Sequence, residues 1–425
     1  MGVQVDERTK MDVASDLAVH FRQVRDLSIS LIAPLSDADA TPQSMPDASP
    51  AKWHLAHTTW FFETFILRDH LDDYRLFDED WPFLFNSYYE AEGARHARPQ
   101  RGLLTRPSLA HVKAYRAHVD QAMLAALPQL SPTCGDLIRL GLHHEQQHQE
   151  LLLTDLKHLF WCNPLGPKVW DADPLRDAAP VPPLRWLDGP AGLVEIGAAE
   201  DSFAFDCERP VHHYHLAPYA LADRTITNGE WIAFMEAGGY STASLWLDDG
   251  WSWVMSQGIT SPLYWRKTAS GWECFTLAGW SVLDLAAPVT HISFFEADAY
   301  ARWADARLPT EQEWEAFARN FDTAKGNFLD RARAVAPLAS ARGNGAAEVF
   351  GNVWEWTGSA FRPYPGFTIA DGAVGEYNGK FMNGLFVLKG GSCATPRGHV
   401  RASYRNFFSP EKRWQFTGLR LARTL

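Results

Sequence analysis

The sequence lacks any block of basic residues, and its acidic side chains outnumber the basic ones. Fifty-one Asp and Glu residues against 39 Lys and Arg give a formal net charge of −12 over 425 residues. Because a negative surface repels phosphate, this balance disfavours nucleic acid and anionic membranes as partners. The first ten residues are polar and no apolar run follows them, so neither a signal peptide nor a transmembrane segment is predicted and we expect a cytoplasmic protein.

Cysteine is also scarce, with five residues and no C-x-x-C pair. An odd count without paired spacing predicts neither a disulfide framework nor a zinc ribbon, and we expect each cysteine to be a small buried side chain. The chain has no glycine-rich phosphate-binding loop, internal repeat or low-complexity tract. Aromatic residues are abundant, with 18 Trp, 25 Phe and 12 Tyr, which hints at an aromatic-lined site.

A histidine-rich stretch lies inside an apolar-periodic run that is typical of a buried helix. His144 and His148 are one helical turn apart, so two neutral imidazoles on one side can share a divalent ion. The alternative is a solvated polar face, because metal sites usually need three protein ligands. His57 lies on the apolar face of an earlier predicted helix and is the expected third ligand, with His54 as the alternate.

The same stretch matches the H-E-x-x-H pattern of zinc peptidases, in which Glu145 would be the general base. This pattern is short and occurs by chance. A zinc peptidase is therefore the first rival hypothesis, and the rest of the sequence is needed to distinguish it from other metal sites.

The length predicts two domains. The first is all-helical, with helices over about 12–32, 107–127 and 131–160 and another that has Ser49 as its N-cap and Pro50 at its first position. A long irregular segment separates the second and third helices, and residues 163–185 form a proline-rich linker. From 186 to 425 short strands alternate with brief helices, three of which begin at capping boxes headed by Thr227, Ser293 and Thr310. The fold class is thus α followed by α+β, with domains over 1–162 and 186–425.

Specific motifs add a resemblance that covers nearly the whole chain. The stretches 307–315, 351–356 and 390–392 resemble signatures of the formylglycine-generating-enzyme/sulfatase-modifying fold, a C-type-lectin-like module. Residues 49–57 and 144–148 resemble a DinB-like four-helix bundle. The fusion of the two is similar to ergothioneine-biosynthesis sulfoxide synthases of the EgtB type, also called hercynine oxygenases.

This resemblance implies a non-haem Fe(II) held by His57, His144 and His148, which couples a thiol to the imidazole carbon of hercynine with O2 as oxidant. Octahedral iron with three protein nitrogens keeps three positions, enough for a thiolate, a substrate imidazole and O2. The electrons balance, since O2 takes two from forming the C–S bond and two from oxidising sulfur to the sulfoxide. Glu145 then needs no peptidase role, and we expect a carboxylate behind the ligands or at the surface.

The resemblance also assigns substrate contacts and a proton donor. Gln147 and Asn406 are implied near the hercynine imidazole, and Phe407 or Trp414 would face its trimethylammonium group, because aromatic faces attract cations. Plain core packing is the alternative for these aromatic residues. Tyr88 and Tyr89 are the expected proton donors during sulfoxide formation, with Tyr377 in reserve; otherwise they pack the long loop.

The thiol donor is predicted from two further places. Arg98-x-x-Arg101 can grip a carboxylate, although two loop arginines can equally be a solvated basic stretch. Family members that use γ-glutamylcysteine carry an acid-base pair after the Asn-aromatic motif, but here Phe408 replaces the acid and the base is at best Lys412. We therefore expect free L-cysteine. The sequence leaves open γ-glutamylcysteine, a selenoneine-type or ovothiol-type synthase, and a non-catalytic metal-containing binding module.

Overall fold

The computed structural model describes residues 7–172, 181–339, 346–369, 375 and 378–425. The chain divides into two compact units, the first ending at Cys162 and the second starting at Asn163. Within the predicted linker, the backbone amides of Val169 and Trp170 donate to the carbonyl of Leu277, so residues 163–172 pack with the second unit. The predicted domain boundaries themselves stay a prediction.

The first unit is helical in its described residues. Its four long helices match the four that the apolar periodicity predicts, and two short helices lie in the connections. The helices are α1 (Glu7–Ile32), α2 (Asp37–Ala40), α3 (Ala51–Phe62, continued by a π-helix over Glu63–Arg68), α4 (Trp81–Phe85), α5 (Leu109–Ala126) and α6 (Pro132–Cys162). None of the described helices combines the length and the apolar character that crossing a membrane requires.

Helix α3 is the centre of this unit. Each of its twelve residues is buried, and it packs against both α5 and α6. The sequence predicts one apolar face for this helix, but a helix buried on every side is inside the core, not on its surface. The predicted N-cap is also wrong, because Pro50 occupies that position and Ser49 donates its backbone amide to the Asp155 carboxylate, 2.8 Å away.

A buried carboxylate ties α6 to its neighbours. Glu145 is 1% exposed and accepts hydrogen bonds from Arg25 and Ser28 of α1, at 2.8 and 2.5 Å, and from Arg116 of α5. Burial alone would raise the pKa of Glu145, but the charges of Arg116 and Arg25 outweigh it and lower the pKa to about 2. Glu145 is therefore a structural anion, and of its two predicted placements, behind the ligands or at the surface, the surface one is wrong.

The second unit is α+β, and its strands form small sheets. In the described residues the sheet orders are β1-β4-β12, β10-β9-β8-β11, β2-β3 and β5-β6-β7, and only β11 runs parallel to its partner. The strands are β1 (Trp186–Asp188), β2 (Gly192–Ile196), β3 (His212–Leu216), β4 (Tyr219–Ala222), β5 (Trp265–Thr268), β6 (Gly271–Thr276), β7 (Gly279–Val282), β8 (Trp354–Ala360), β9 (Phe386–Lys389), β10 (Asn406–Phe408), β11 (Thr417–Gly418) and β12 (Ala422–Thr424).

The described residues of this unit also contain four short α-helices, and the capping boxes predicted for three of them are confirmed. In each, the hydroxyl and the carboxylate satisfy backbone amides reciprocally. The helices are α7 (Asn228–Glu236, capped by Thr227), α8 (Asp248–Gln257), α9 (Phe294–Trp303, capped by Ser293) and α10 (Glu311–Ala318, capped by Thr310).

The motifs that carry the resemblance of the second unit are structural. Glu355 accepts hydrogen bonds from Arg420, at 2.8 Å, and from the indole of Trp314, at 2.7 Å, with all three side chains buried. Glu315 pairs with the buried ammonium of Lys389 at 3.2 Å. Because an unpaired buried charge is costly, these residues are constrained by the fold.

The cysteines are only partly as expected. Cys134, Cys207 and Cys393 are buried, whereas Cys274 is half-buried and Cys162, at the end of α6, is exposed. The expectation that every cysteine is buried is therefore wrong for these last two. The helix end explains Cys162, because α6 leaves the core there.

We expect the Glu145→Gln variant to lower the free energy of unfolding by about 3–5 kcal/mol, because the change removes the buried anion that pairs with Arg116 and Arg25. The partly exposed Asp120, 2.6 Å from Arg25, is then left to balance them. The carboxylate has a lower pKa folded than unfolded, so its contribution is full above about pH 4.5 and declines as the pH falls towards 2. The difference from wild type, measured by urea denaturation, should therefore narrow in acid. Asp136→Asn, at an exposed carboxylate of the same helix, is the control; equal stability of the two variants would contradict the assignment.

Candidate metal centre

Three histidines from two helices converge inside the first unit. One ring nitrogen from each of His57, His144 and His148 lies within 4.8 Å of the others. His144 and His148 are successive turns of α6, and His57 faces them from α3. The three rings stand edge to face, with centroids 4.6 to 4.9 Å apart. This arrangement suits a single metal ion bound by three imidazoles.

The protonation state of the rings fits ligation. Burial lowers the pKa of His144 to about 3 and holds the pKa values of His57 and His148 well below the ordinary value, so all three are neutral at physiological pH. The Nδ1–H of His57 donates to the carbonyl of Phe85 at 2.6 Å. Its Nε2 is buried and has no hydrogen-bond partner among the described residues. A buried acceptor of this kind needs a partner, and a metal ion supplies one.

Aromatic rings fix the orientation of His57. Trp53 and Trp60, four residues before it and three after it on α3, stack on its imidazole with centroid separations of 4.5 and 5.6 Å. Both indoles are buried. The stacking holds the ring plane while the Phe85 carbonyl sets the tautomer, so this ligand is preorganised.

The peptidase hypothesis fails on the position of Glu145. Its carboxylate is held by two arginines and a serine, and its pKa of about 2 makes it too weak a base to take a proton from water. Glu145 follows His144 directly, so on a helix the two side chains diverge by about 100°. The H-E-x-x-H match is therefore coincidental.

The predicted alternate ligand, His54, lies behind His148. Its Nδ1 is 2.9 Å from Nδ1 of His148, and its Nε2 is 3.0 Å from the carboxylate of Asp155. The sequence analysis misses Asp155, although its position seven residues after His148 places both on one side of α6. That spacing is a signal that could have identified it.

Other predicted residues of the first unit lie at different depths. Tyr89 is buried, with its ring 5.6 Å from that of Trp60, and Tyr88 is half-buried and stacks on Tyr89 at 4.7 Å. Gln147, which lies between His144 and His148 in the sequence, is half-buried. The reserve candidate, Tyr377, lies outside the described residues.

The two predicted arginines differ sharply. Arg98 is exposed, and its guanidinium donates to the carbonyl of Asp47. Arg101 is only 3% exposed, lies 3.3 Å above the ring of Trp53 and donates to the hydroxyls of Ser49 and Ser87 at 2.9 and 3.1 Å. No carboxylate forms an ion pair with Arg101 among the described residues, and its Nε has no hydrogen-bond partner there.

The remaining predicted residues belong to the second unit. Asn406 and Phe408 are half-buried on β10, where the amide oxygen of Asn406 accepts from the backbone of Phe407. The ring of Phe407 stacks with those of Phe361, at 4.2 Å, and Phe381, at 5.9 Å. Phe408 meets the buried ring of Trp414 edge-on at 5.4 Å. These contacts are those of aromatic packing, and the substrate roles stay predictions.

Comparison with known proteins covers both units. Residues 187–425 match the sulfatase-modifying factor enzyme 1-like domain, and residues 20–152 match the DinB superfamily. The chain is 34% identical to the hercynine oxygenase of Mycobacterium tuberculosis, covering 97% of this chain and 99% of that protein. It is 33% identical to the hercynine oxygenase of Mycolicibacterium thermoresistibile, covering 96% and 94%. The chain belongs to the hercynine oxygenase family.

Membership of the hercynine oxygenase family confirms two sequence-based predictions. The fold class is an N-terminal DinB-like bundle followed by a formylglycine-generating-enzyme-like domain, as the motifs predict. The protein is an oxygenase of this family, and no peptidase is needed to explain its histidine pair. The similarity to these proteins concerns the family and the fold, and the metal and the sulfur donor remain proposals.

We expect His57→Ala, His144→Ala and His148→Ala each to weaken Fe(II) binding by more than roughly 100-fold. Loss of a hydrogen-bond partner behind a ligand costs roughly 10–100-fold, and each of these variants removes a ligand itself. Anaerobic titration of the apoprotein with Fe(II) measures this.

The matched control is His158→Ala, which removes another imidazole from α6 that is hydrogen-bonded to Ser44 at 2.7 Å. It should bind Fe(II) as wild type does. Wild-type affinity in all three ligand variants would rule out the assignment.

Proposed function

We propose that the protein is a non-haem Fe(II), O2-dependent sulfoxide synthase that joins L-cysteine to the imidazole carbon of hercynine and yields hercynylcysteine sulfoxide, a step of ergothioneine biosynthesis. The observation that supports it most is the buried three-histidine centre in a chain that matches hercynine oxygenases over almost its full length. Fe(II) held by His57, His144 and His148 would supply the redox chemistry that lets O2 react with an organic substrate.

The atoms and electrons of this reaction balance. One C–S bond forms as the thiol and the imidazole C–H each lose a hydrogen, which releases two electrons. Oxidation of the sulfur to the sulfoxide releases two more. O2 accepts all four, placing one oxygen atom on sulfur and the other in water, so no further reductant is required.

Oxygen consumption distinguishes an enzyme from a non-catalytic binding module that only holds a metal. Iron-loaded protein should consume O2 at a substantial rate only when hercynine and L-cysteine are both present, because the reaction needs electrons from both. An oxygen electrode measures this directly, with either substrate alone as the control. No consumption with both substrates would favour the non-catalytic alternative.

Arg101 is a buried cation that can receive a substrate carboxylate. Burial and then the like charge of Arg98 lower the pKa of Arg101 to about 8, which means that an anion nearby would relieve an unfavourable buried charge. Arg101 lies against Trp53, which itself stacks on His57. A carboxylate bound by Arg101 would therefore belong to a small molecule held near the metal centre.

The departure from the family pattern at Phe408 favours L-cysteine over γ-glutamylcysteine. The glutamyl end carries an ammonium group in addition to its carboxylate, and the position that would pair with that ammonium is Phe408. An aromatic edge cannot replace a carboxylate in an ion pair, and a buried unpaired ammonium costs several kcal/mol. The candidate for the base of that acid-base pair, Lys412, pairs with Glu411 at 3.2 Å.

With hercynine and Fe(II) present, equal concentrations of cysteine and γ-glutamylcysteine should give mainly the cysteine conjugate. Mass spectrometry of the products measures the ratio. A clear preference for the dipeptide would refute the donor while leaving the iron centre intact.

The variant Arg101→Gln should raise the KM for cysteine by roughly 10–100-fold, because a charge-assisted hydrogen bond is lost. Arg98→Gln is the comparison; since Arg98 is exposed, we expect a smaller change.

Tyr88 and Tyr89 are the proposed proton donors. The ring of Tyr89 contacts the indole of Trp60, which stacks on His57, and the ring of Tyr88 stacks on that of Tyr89. A phenol can donate a proton from such an environment, where water is scarce.

We expect Tyr88→Phe or Tyr89→Phe to shift the product from sulfoxide towards cysteine sulfinate, because the proton that directs the outcome is missing. The ratio of the two products by mass spectrometry is the measurement, and the double variant completes the set. Unchanged ratios in all three variants would remove the tyrosines from the mechanism.

A further inference from the structure

A hydrogen-bonded chain runs from a carboxylate to the metal centre. Asp155 is 3.0 Å from Nε2 of His54, and Nδ1 of His54 is 2.9 Å from Nδ1 of His148. His54 and Asp155 are buried, and His148 is the one ligand of the three that is partly exposed. Three ionisable groups in line inside a core require a consistent set of proton positions.

The carboxylate sets those positions. An ionised Asp155 only accepts, so His54 must present its Nε2–H to it and keep Nδ1 as an acceptor. Nδ1 of His54 can then accept only from Nδ1–H of His148. The remaining nitrogen of His148, Nε2, is thereby left with its lone pair available for a metal ion.

Asp155 is itself fixed from the other side. The backbone amide of Ser49 donates to the same oxygen that faces His54, at 2.8 Å. Ser49 lies in the loop just before α3, whereas Asp155 and His148 belong to α6. The hydrogen-bonded chain therefore also links the two helices that carry the three histidines. A ligand oriented in this way is preorganised.

We propose that His54 and Asp155 are positioning residues of the metal centre, which hold His148 in the tautomer and orientation that bind the ion through Nε2. His54 is therefore not a ligand, although the sequence allows it. This proposal rests on the metal centre of the proposed function. It assigns to each of the two residues a role that acts through His148 and not through the substrate.

The test uses Co(II) as the probe, with visible absorption of the anaerobically loaded full-length protein as the readout. His54→Gln and Asp155→Asn should each weaken Co(II) binding by roughly 10–100-fold and alter the absorption bands, because the ligand is misoriented. The double variant should bind no more weakly than His54→Gln alone, since Asp155 acts through His54. A purely structural role predicts additive losses and unchanged bands.

The controls make each outcome decisive. His158→Gln, on the same helix, should leave Co(II) affinity unchanged, and thermal unfolding of each apoprotein checks the fold. His54→Gln carries the test if Asp155→Asn does not fold, because it leaves the contact between Ser49 and Asp155 in place.

Single variants that bind as tightly as His158→Gln, or additive losses in the double variant, would overturn the proposal alone. Loss of binding in His54→Gln as complete as in His57→Ala would make His54 a ligand and also overturn it. Absence of Co(II) and Fe(II) binding in wild type would instead remove the metal centre itself, and the proposed function with it.

Discussion

The ion-pair cluster around Glu145 is the interaction on which the geometry of the candidate metal centre depends. Helix α6 is long and carries polar side chains on more than one side, so apolar packing alone does not define its rotation. Two arginines and a serine on α1 and α5 fix Glu145, and the neighbouring His144 then points about 100° away, towards α3. The cluster therefore fixes the rotation of α6 about its own axis. This role explains why a carboxylate is kept in the core although its burial costs free energy.

The sequence predicts the helices and the three histidines well because these depend on local periodicity. It predicts poorly what depends on neighbours distant in the chain. Glu145 looks like a solvated carboxylate until Arg25 and Arg116 are brought to it, and Asp155 has no motif of its own. Likewise, α3 has the pattern of a helix with one apolar face, but its polar residues find partners inside the core. The resemblance implies a ligand set, and the structure adds the contacts that hold each of the three histidines.

The surroundings of the centre are unusual in combining aromatic walls with a buried cation. Trp53 has Arg101 above it and His57 stacked on it, so the abundant tryptophan of the sequence has a specific use in the first unit. Indole rings exclude water and fill space around the ligands without offering competing donor atoms. They also leave the positive charge of Arg101 poorly solvated, which favours an anionic guest.

The complete burial of α3 has a kinetic consequence. Because each of its residues is inside the core, no local fraying of a surface helix can expose His57. Detachment of His57 from a bound ion would therefore require the helical unit itself to open, and opening of a core element has a high free-energy cost. Loss of the contact between His57 and a bound ion would then be governed by the same barrier as unfolding of the bundle.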